Sequence, residues 1–248
     1  METMTALSVN INKLALLRNS RGRNFPDLET FSQRFLAMGV HGITVHPRPD
    51  ERHVRFADLP VLAALVKQFP GAEFNIEGYP SPDFLQAVLA VKPHQCTLVP
   101  DAADQLTSDH GWDLNKHGSW LQGVVTQLQD AGVRVSLFLD PEPALAPLAA
   151  LTGAARVELY TEQYAATFGT ARQQAVFELY RDTALAAQAA GLGVNAGHDL
   201  DLANLGTFLT IPGILEVSIG HALTVECIER GMNEVLARYL QLCRGQRD

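Results

Sequence analysis

No stretch of this 248-residue sequence approaches the roughly 20 consecutive apolar residues that a membrane-spanning helix needs. Residues 1–10 carry neither a basic segment nor an apolar run, so no secretory signal is expected there. Cysteine is scarce and odd in number: Cys96, Cys227 and Cys243, with no C-x-x-C spacing. That pattern argues against a disulfide framework or a zinc cluster and suits a reducing compartment. Positive charge is also short. A formal net charge of −8 and a pI near 5.4 argue against nucleic acid or an anionic membrane as the partner. An anionic metabolite remains open, provided that arginines and backbone N–H groups hold it locally. Eight histidines are present, yet there is no H-E-x-x-H and no tight pair at helical spacing, so no metal site is expected. Linkers and low-complexity segments are missing too, which leaves one domain over residues 1–248.

What is present is a regular alternation. Short β-branched runs read as strands at Leu7–Asn10, Gly42–Val45, Glu73–Glu77, Gln95–Val99, Val133–Leu139, Arg156–Leu159, Gly193–Ala196 and Leu215–Ile219. Helical stretches follow them. Pro26-Asp27 opens one that ends at Gly39, and Asp58 caps another. Ser81-Pro82 supplies a cap and a first-turn proline. The chain from Thr170 to Ala190 reads as a long helix, and Gly220-His221 opens a last helix to about Arg244. Arg18 to Arg23 reads as a basic loop, and Asp101 to about Asn115 as a longer polar loop. Eight strand–helix units in about 250 residues predict an α/β (β/α)8 barrel. The rival is an open doubly wound sheet, disfavoured because no G-x-G-x-x-G follows the first strand.

Several strands end in a chemically active residue. The clearest is Gly42-Ile-Thr-Val-His46-Pro-Arg48-Pro-Asp-Glu-Arg52-His53, where two prolines stop the strand just past an imidazole. Asn10 with Asn12, Glu77, Glu158, His198 and Gly220-His221 end others. In a barrel these carboxyl ends converge on one face. Two imidazoles and two carboxylates there can move protons near neutral pH, and Arg21, Arg48 and His53 can hold an anion. Gly197 and Gly220 are expected to open helices whose N–H groups bind phosphate. The set reads as proton transfer on a phosphorylated metabolite without metal or redox cofactor. Taken singly, each residue has a duller explanation: a structural histidine, an ion-paired glutamate, a solvated basic loop, a turn glycine. His94, His110 and His117 read as loop or strand-edge residues, Cys96 as core, and Tyr160 and Tyr164 as packing residues. Lys13 is the lysine nearest the rim and suits a phosphate or hydroxyl contact better than a Schiff base. Glu77 is expected over an apolar barrel layer, with no fixed cation from Asn75 or Ile76.

At these residues the sequence resembles the pyridoxine 5′-phosphate synthase family. The shared motifs are Val9-Asn10-Ile11, Leu17-Arg-Asn-Ser-Arg21-Gly22, Gly42-Ile-Thr-Val-His46-x-Arg48 with Arg52-His53, Asn75-Ile-Glu77, Lys92-Pro-His94, Leu98-Val-Pro100, Val135-Ser-Leu-Phe138, Val194-Asn-Ala-Gly-His198 and Ile219-Gly-His-Ala222. They run over nearly the whole length in the family's order. The resemblance implies a barrel that condenses 1-deoxy-D-xylulose 5-phosphate with 3-amino-2-oxopropyl phosphate, releasing pyridoxine 5′-phosphate, phosphate and water. It implies acid/base roles for His46, Glu77 and His198. It implies amino-ketone phosphate contacts at Asn10, Arg21, Gly220 and His221, and deoxyxylulose phosphate contacts at Arg48, His53 and Thr107. Glu158 is taken as a further substrate contact. A cytoplasmic homo-octamer that uses no cofactor is also implied.

The sequence departs from the family pattern in three places. Asn12-Lys13 stands where many members have Asp-His, and Lys13 is expected to serve as an anion contact. Asp199 stands where many have Gly, and a backbone N–H contact is expected from it. Thr161-Glu162-Gln-Tyr164-Ala165 stands where Thr-Gly-x-Tyr-Ala is usual. Two other functions fit the residues alone: a sugar-phosphate isomerase or epimerase, and a non-catalytic paralogue that binds a phosphorylated metabolite.

Overall fold

The computed structural model describes residues 4–101 and 108–246. Eight parallel strands close a barrel in chain order: β1 (Ala6–Asn10), β2 (Gly42–Val45), β3 (Glu73–Gly78), β4 (Gln95–Leu98), β5 (Arg134–Leu139), β6 (Arg156–Tyr160), β7 (Gly193–Gly197) and β8 (Ile214–Ile219). β8 returns to β1 in the register Leu7↔Val217 and Val9↔Ile219, so the sheet has no edge. The helices are α1 (Asn12–Asn19), α2 (Leu28–Ala37), α3 (Leu59–Val66), α4 (Pro82–Val91), α5 (Leu114–Asp130), α6 (Leu145–Leu151), α7 (Glu162–Thr167), α8 (Gln173–Ala189), α9 (Leu205–Phe208), α10 (His221–Arg230) and α11 (Met232–Cys243). Among the described residues, no helix is long and apolar enough to cross a membrane.

Period-two alternation decides which way each strand residue faces. Leu7, Val9, Ile43, Val45, Phe74, Ile76, Cys96, Leu98, Val135, Leu137, Val157, Leu159, Val194, Ala196, Val217 and Ile219 are all buried and belong to one continuous apolar cluster with the helices. The alternate positions turn inward and are mostly polar. Hydrogen bonds from Thr97 (β4) to Glu158 (β6) and from Asn195 (β7) to Gln95 (β4) link strands that are not neighbours, which places these side chains in the barrel interior. Ser8 pairs with Thr44 there, and Thr97 with Asn75. At the strand starts, Arg134 donates to Glu73 and Gln95, and Arg156 to Asn195 and Glu216. The apolar layer expected beneath Glu77 is therefore absent. Hydroxyls, amides and carboxyls fill that space, although branched apolar side chains usually dominate such interiors.

Three helix boundaries differ from the sequence reading. A helix not expected from the sequence spans Asn12–Asn19 and takes in Arg18 and Asn19, the first two residues of the expected basic loop. Its start lacks a side-chain cap on Ile11, and the Asn10 side chain instead accepts from the Asn12 N–H at 3.0 Å. Within it, Arg18 is buried and pairs in a bidentate fork with Asp58 at 2.8 and 2.9 Å. Asp58 therefore serves an ion pair and the Arg55 N–H, and does not cap α3. The expected last helix is two: Gly231, at φ 90°, breaks it between α10 and α11. A short helix α7 also precedes the long α8. The caps on Asp27 and Ser81 do form, accepting from Thr30 and Phe84, and Asp113, inside the expected polar loop, caps α5 by accepting from Lys116.

Candidate active site

The carboxyl ends of the strands open into a cavity of about 530 Å³. Asn10, Asn12, Lys13, His46, Arg48, His53, Glu77, Glu158, His198, Asp199, Gly220 and His221 all line it. Arg21 does not: it is exposed on the turn after α1. Thr107 lies outside the described residues.

Asparagines after β1 set the first side of the site. Asn10 donates to Glu77 Oε2 at 3.3 Å, and Asn12 Oδ1 accepts from the His46 N–H at 3.0 Å. His46 is thus held from behind by α1 while its ring meets two carboxylates. Nδ1 lies 3.9 Å from Glu77 Oε2, and Nε2 lies 3.9 Å from Asp101 Oδ2. Burial, then the charges of Arg48, His53 and Arg52, keeps His46 well below the usual imidazole range, so the ring is a neutral base at pH 7. Glu77 moves the other way. Burial, then Glu158, Asp101 and Glu216, raises its carboxyl well above the ordinary range, with Arg48 opposing. A fixed cation therefore does bear on Glu77, supplied by Arg48 rather than by its chain neighbours. Burial thus favours the uncharged form of both groups, a proton on the carboxyl and none on the imidazole.

The cations line the same cavity. Arg48 reaches Asp101 Oδ2 at 2.6 Å, and Ser108 donates to the same oxygen at 2.8 Å. The Arg52–His53 turn is tied to α1, because Asn19 Nδ2 donates to the carbonyls of Glu51, Arg52 and His53 at 3.1, 3.0 and 2.7 Å. His53 is depressed to about 4 by burial, Lys13, Arg52 and Arg48, so at neutral pH it offers a hydrogen bond rather than a charge. Its Nδ1 is buried and has no hydrogen-bond partner among the described residues. Lys13, Arg48 and Arg52 thus give a protein of net charge −8 a local cationic wall.

Glycines fix the remaining approaches. A Cβ on Gly197 would stand 2.2 Å from Glu158 Oε1, so this position is bare to admit that carboxyl. Gly197 ends β7 and opens no helix, contrary to the sequence expectation; α9 begins only at Leu205. Gly220 does precede α10 directly, and a Cβ there would meet Asn10 Cβ and O at 3.0 Å. Gly220, His221 and Ala222, at the start of α10, line the cavity, and the first-turn N–H groups of a helix have no intrahelical partner.

A profile of pyridoxal phosphate biosynthesis protein PdxJ matches residues 7–245. The chain belongs to the PdxJ family. It is 53% identical over 247 residues to pyridoxine 5′-phosphate synthase of Agrobacterium fabrum, covering 98% of each chain. Against pyridoxine 5′-phosphate synthase of Xanthomonas oryzae the identity is 48% over 250 residues, covering 97% of each. Among solved structures, tryptophan synthase of Mycobacterium tuberculosis matches with a TM-score of 0.65 at 14% identity, covering 97% of this chain and 93% of that one. Phosphoribosylanthranilate isomerase of Thermotoga maritima matches at 0.59 and 10% identity, covering 98% and 100%. Those two show the barrel alone.

Sequence reasoning missed three residues that line or organise the site of this PdxJ-family chain. Asp101 is buried against Arg48 and His46, and its signal was available: it follows a strand and a proline just as His46 follows β2. Ser108 closes on the same carboxylate. Tyr160, read as packing, lines the cavity and meets the His198 ring edge-on at 5.0 Å. Tyr164 is core, as expected, and donates to the Asn204 carbonyl at 2.8 Å.

Proposed function

We propose that this cavity carries out the pyridoxine 5′-phosphate synthase reaction. The observation that carries the reading is a buried His46 with its Nδ1 3.9 Å from a buried Glu77, their proton affinities displaced in opposite directions, in one cavity with His198, Lys13, Arg48 and Arg52. The amine of 3-amino-2-oxopropyl phosphate attacks the carbonyl of 1-deoxy-D-xylulose 5-phosphate, so the imine forms between substrates and no enzyme lysine is needed. The later steps are proton transfers, losses of water and loss of one phosphate. His46 takes protons from carbon or nitrogen, Glu77 gives its proton to a departing hydroxyl, and His198 works from the other side of the ring being closed. One phosphate rests on the N–H groups after Gly220 with Asn10 and His221. Arg21, on the exposed turn after α1, is assigned to the same phosphate by its place in the Arg-Asn-Ser-Arg-Gly segment. The second phosphate is assigned to Arg48, His53 and Thr107, with Lys13 as a further anion contact. Glu158 and the Asp199 N–H complete the substrate contacts.

Mixing the protein with both substrates should yield pyridoxine 5′-phosphate and inorganic phosphate, read by mass spectrometry and a phosphate assay. Omitting either substrate should abolish both products. Turnover of one sugar phosphate alone would instead identify an isomerase. The reading also includes a cytoplasmic homo-octamer. Light scattering should then give eight times the 27.0 kDa chain mass, and a monomer at working concentration would remove that part of it.

A further inference from the structure

His198 and Asp199 are neighbours in the chain, and both sit in left-handed backbone, at φ 78° and 45°. That region is unfavourable for residues with a Cβ, and aspartate is among the few that tolerate it. The turn is held by the Thr161 hydroxyl, which reaches the His198 carbonyl, and by Asn204 Nδ2, which donates to the Asp199 carbonyl at 3.2 Å. The two side chains meet: Asp199 Oδ2 lies 2.6 Å from His198 Nδ1. The Tyr160 ring packs edge-on against the same imidazole. Asp199 stays ionised because the His198 hydrogen bond pulls it below the usual carboxylate range, with His221 and Lys13 adding and burial opposing. A carboxylate here would otherwise repel a phosphorylated substrate; the Lys13 cation offsets it.

We propose that Asp199 is a positioning residue: its carboxylate accepts the Nδ1 proton of His198, fixes ring and tautomer, and leaves Nε2 as the nitrogen that exchanges protons with substrate. The proposal rests on the acid/base role given to His198 above, and extends the backbone N–H contact expected of Asp199.

The tautomer can be read without turnover. In ¹⁵N-labelled protein at pH 8, two-bond correlations of the His198 ring, assigned by the spectrum of His198→Gln, should show Nδ1 protonated and Nε2 bare. The opposite tautomer in the unmodified protein would overturn the proposal. Asp199→Asn keeps an acceptor and should keep the tautomer, with kcat down only a few-fold. Asp199→Gly suits the left-handed backbone but removes the acceptor. It should mix the tautomers and lower kcat by about 10- to 100-fold, with KM for both substrates within about twofold. A rise in KM at unchanged kcat would overturn the proposal, because it would make Asp199 a substrate contact only. So would an unchanged tautomer in Asp199→Gly. Full turnover by His198→Gln would instead overturn the acid/base reading of His198, and is measured separately from the tautomer.

Discussion

Glu77→Gln is expected to lower turnover by roughly 10²–10⁴-fold, the usual worth of a general acid or base, while melting temperature and substrate affinity stay near those of the unmodified protein. The carboxyl is buried at the strand end with Oε2 3.3 Å from Asn10 Nδ2 and 3.9 Å from His46 Nδ1. Desolvation is the first cause of its raised proton affinity, and the carboxylates of Glu158, Asp101 and Glu216 add to it. His46, beside it, is pushed down first by desolvation and then by Arg48. An acid and a base with opposite displacements are poised for transfer at neutral pH. Glutamine keeps the shape and the acceptor for Asn10, but has no proton to release and takes none. Because burial and the neighbouring carboxylates already favour the uncharged carboxyl in the fold, the neutral amide adds little desolvation cost, which is why stability should hold. Melting temperature, substrate affinity and product formation are to be measured on one preparation. Near-normal turnover, or activity lost only through unfolding, would make Glu77 structural and leave the proton work to His46 and His198.

The barrel was legible because its outward faces are written in β-branched and leucine residues at period two, bounded by glycine, proline and caps at Asp27 and Ser81. The strand-end chemistry was legible for the same reason: once strands are placed, His46, Glu77 and His198 fall at their ends, while Glu158, expected there, sits mid-strand in β6 and reaches the same cavity from the barrel interior. What could not be read depended on contacts across the fold. Arg18 looked like a loop cation, and only a partner forty residues away makes it a buried ion pair. Asp101 took its meaning from Arg48 and His46, which are distant in sequence. Gly197 looked like a helix opener, yet its bareness serves the Glu158 carboxyl on the next strand. The polar interior was missed because an apolar layer was expected beneath Glu77, as branched apolar side chains usually fill such barrels. In this barrel the inner face carries Ser8, Thr44, Asn75, Thr97, Ser136 and Asn195 instead.

That interior gives stability an unusual dependence on pH, and Glu158→Gln should expose it by stabilising the protein increasingly between pH 4.5 and 8. Glu158 is buried, accepts one hydrogen bond from Thr97 at 3.3 Å, and is raised to about 8 by desolvation and then by Glu216. Glu216 is itself raised to about 7, chiefly by burial. A carboxyl raised in the folded state holds more protons there than in the unfolded chain throughout this window. Folding therefore becomes less favourable as pH climbs from the ordinary glutamate value through the folded one, and the full cost persists above it. Each tenfold change in proton affinity is worth about 1.4 kcal/mol, so removing the charge should yield a few kcal/mol at pH 8 and almost nothing at pH 4.5. Depressed histidines act in the opposite sense at lower pH: His53, at about 4, costs stability as pH falls below the free imidazole value. Their contribution cancels in the difference between variant and parent, and pH 6.5–8 isolates the carboxyls even in the parent alone. Urea unfolding of both proteins at half-unit steps of pH gives the difference directly. A difference that is flat across pH, or a variant that is less stable at pH 8 than at pH 5 relative to its parent, would mean that Glu158 folds as an ordinary carboxylate. The glutamine should still cost activity, since the same carboxyl lines the cavity and bears on Glu77, so stability and turnover are expected to move in opposite directions.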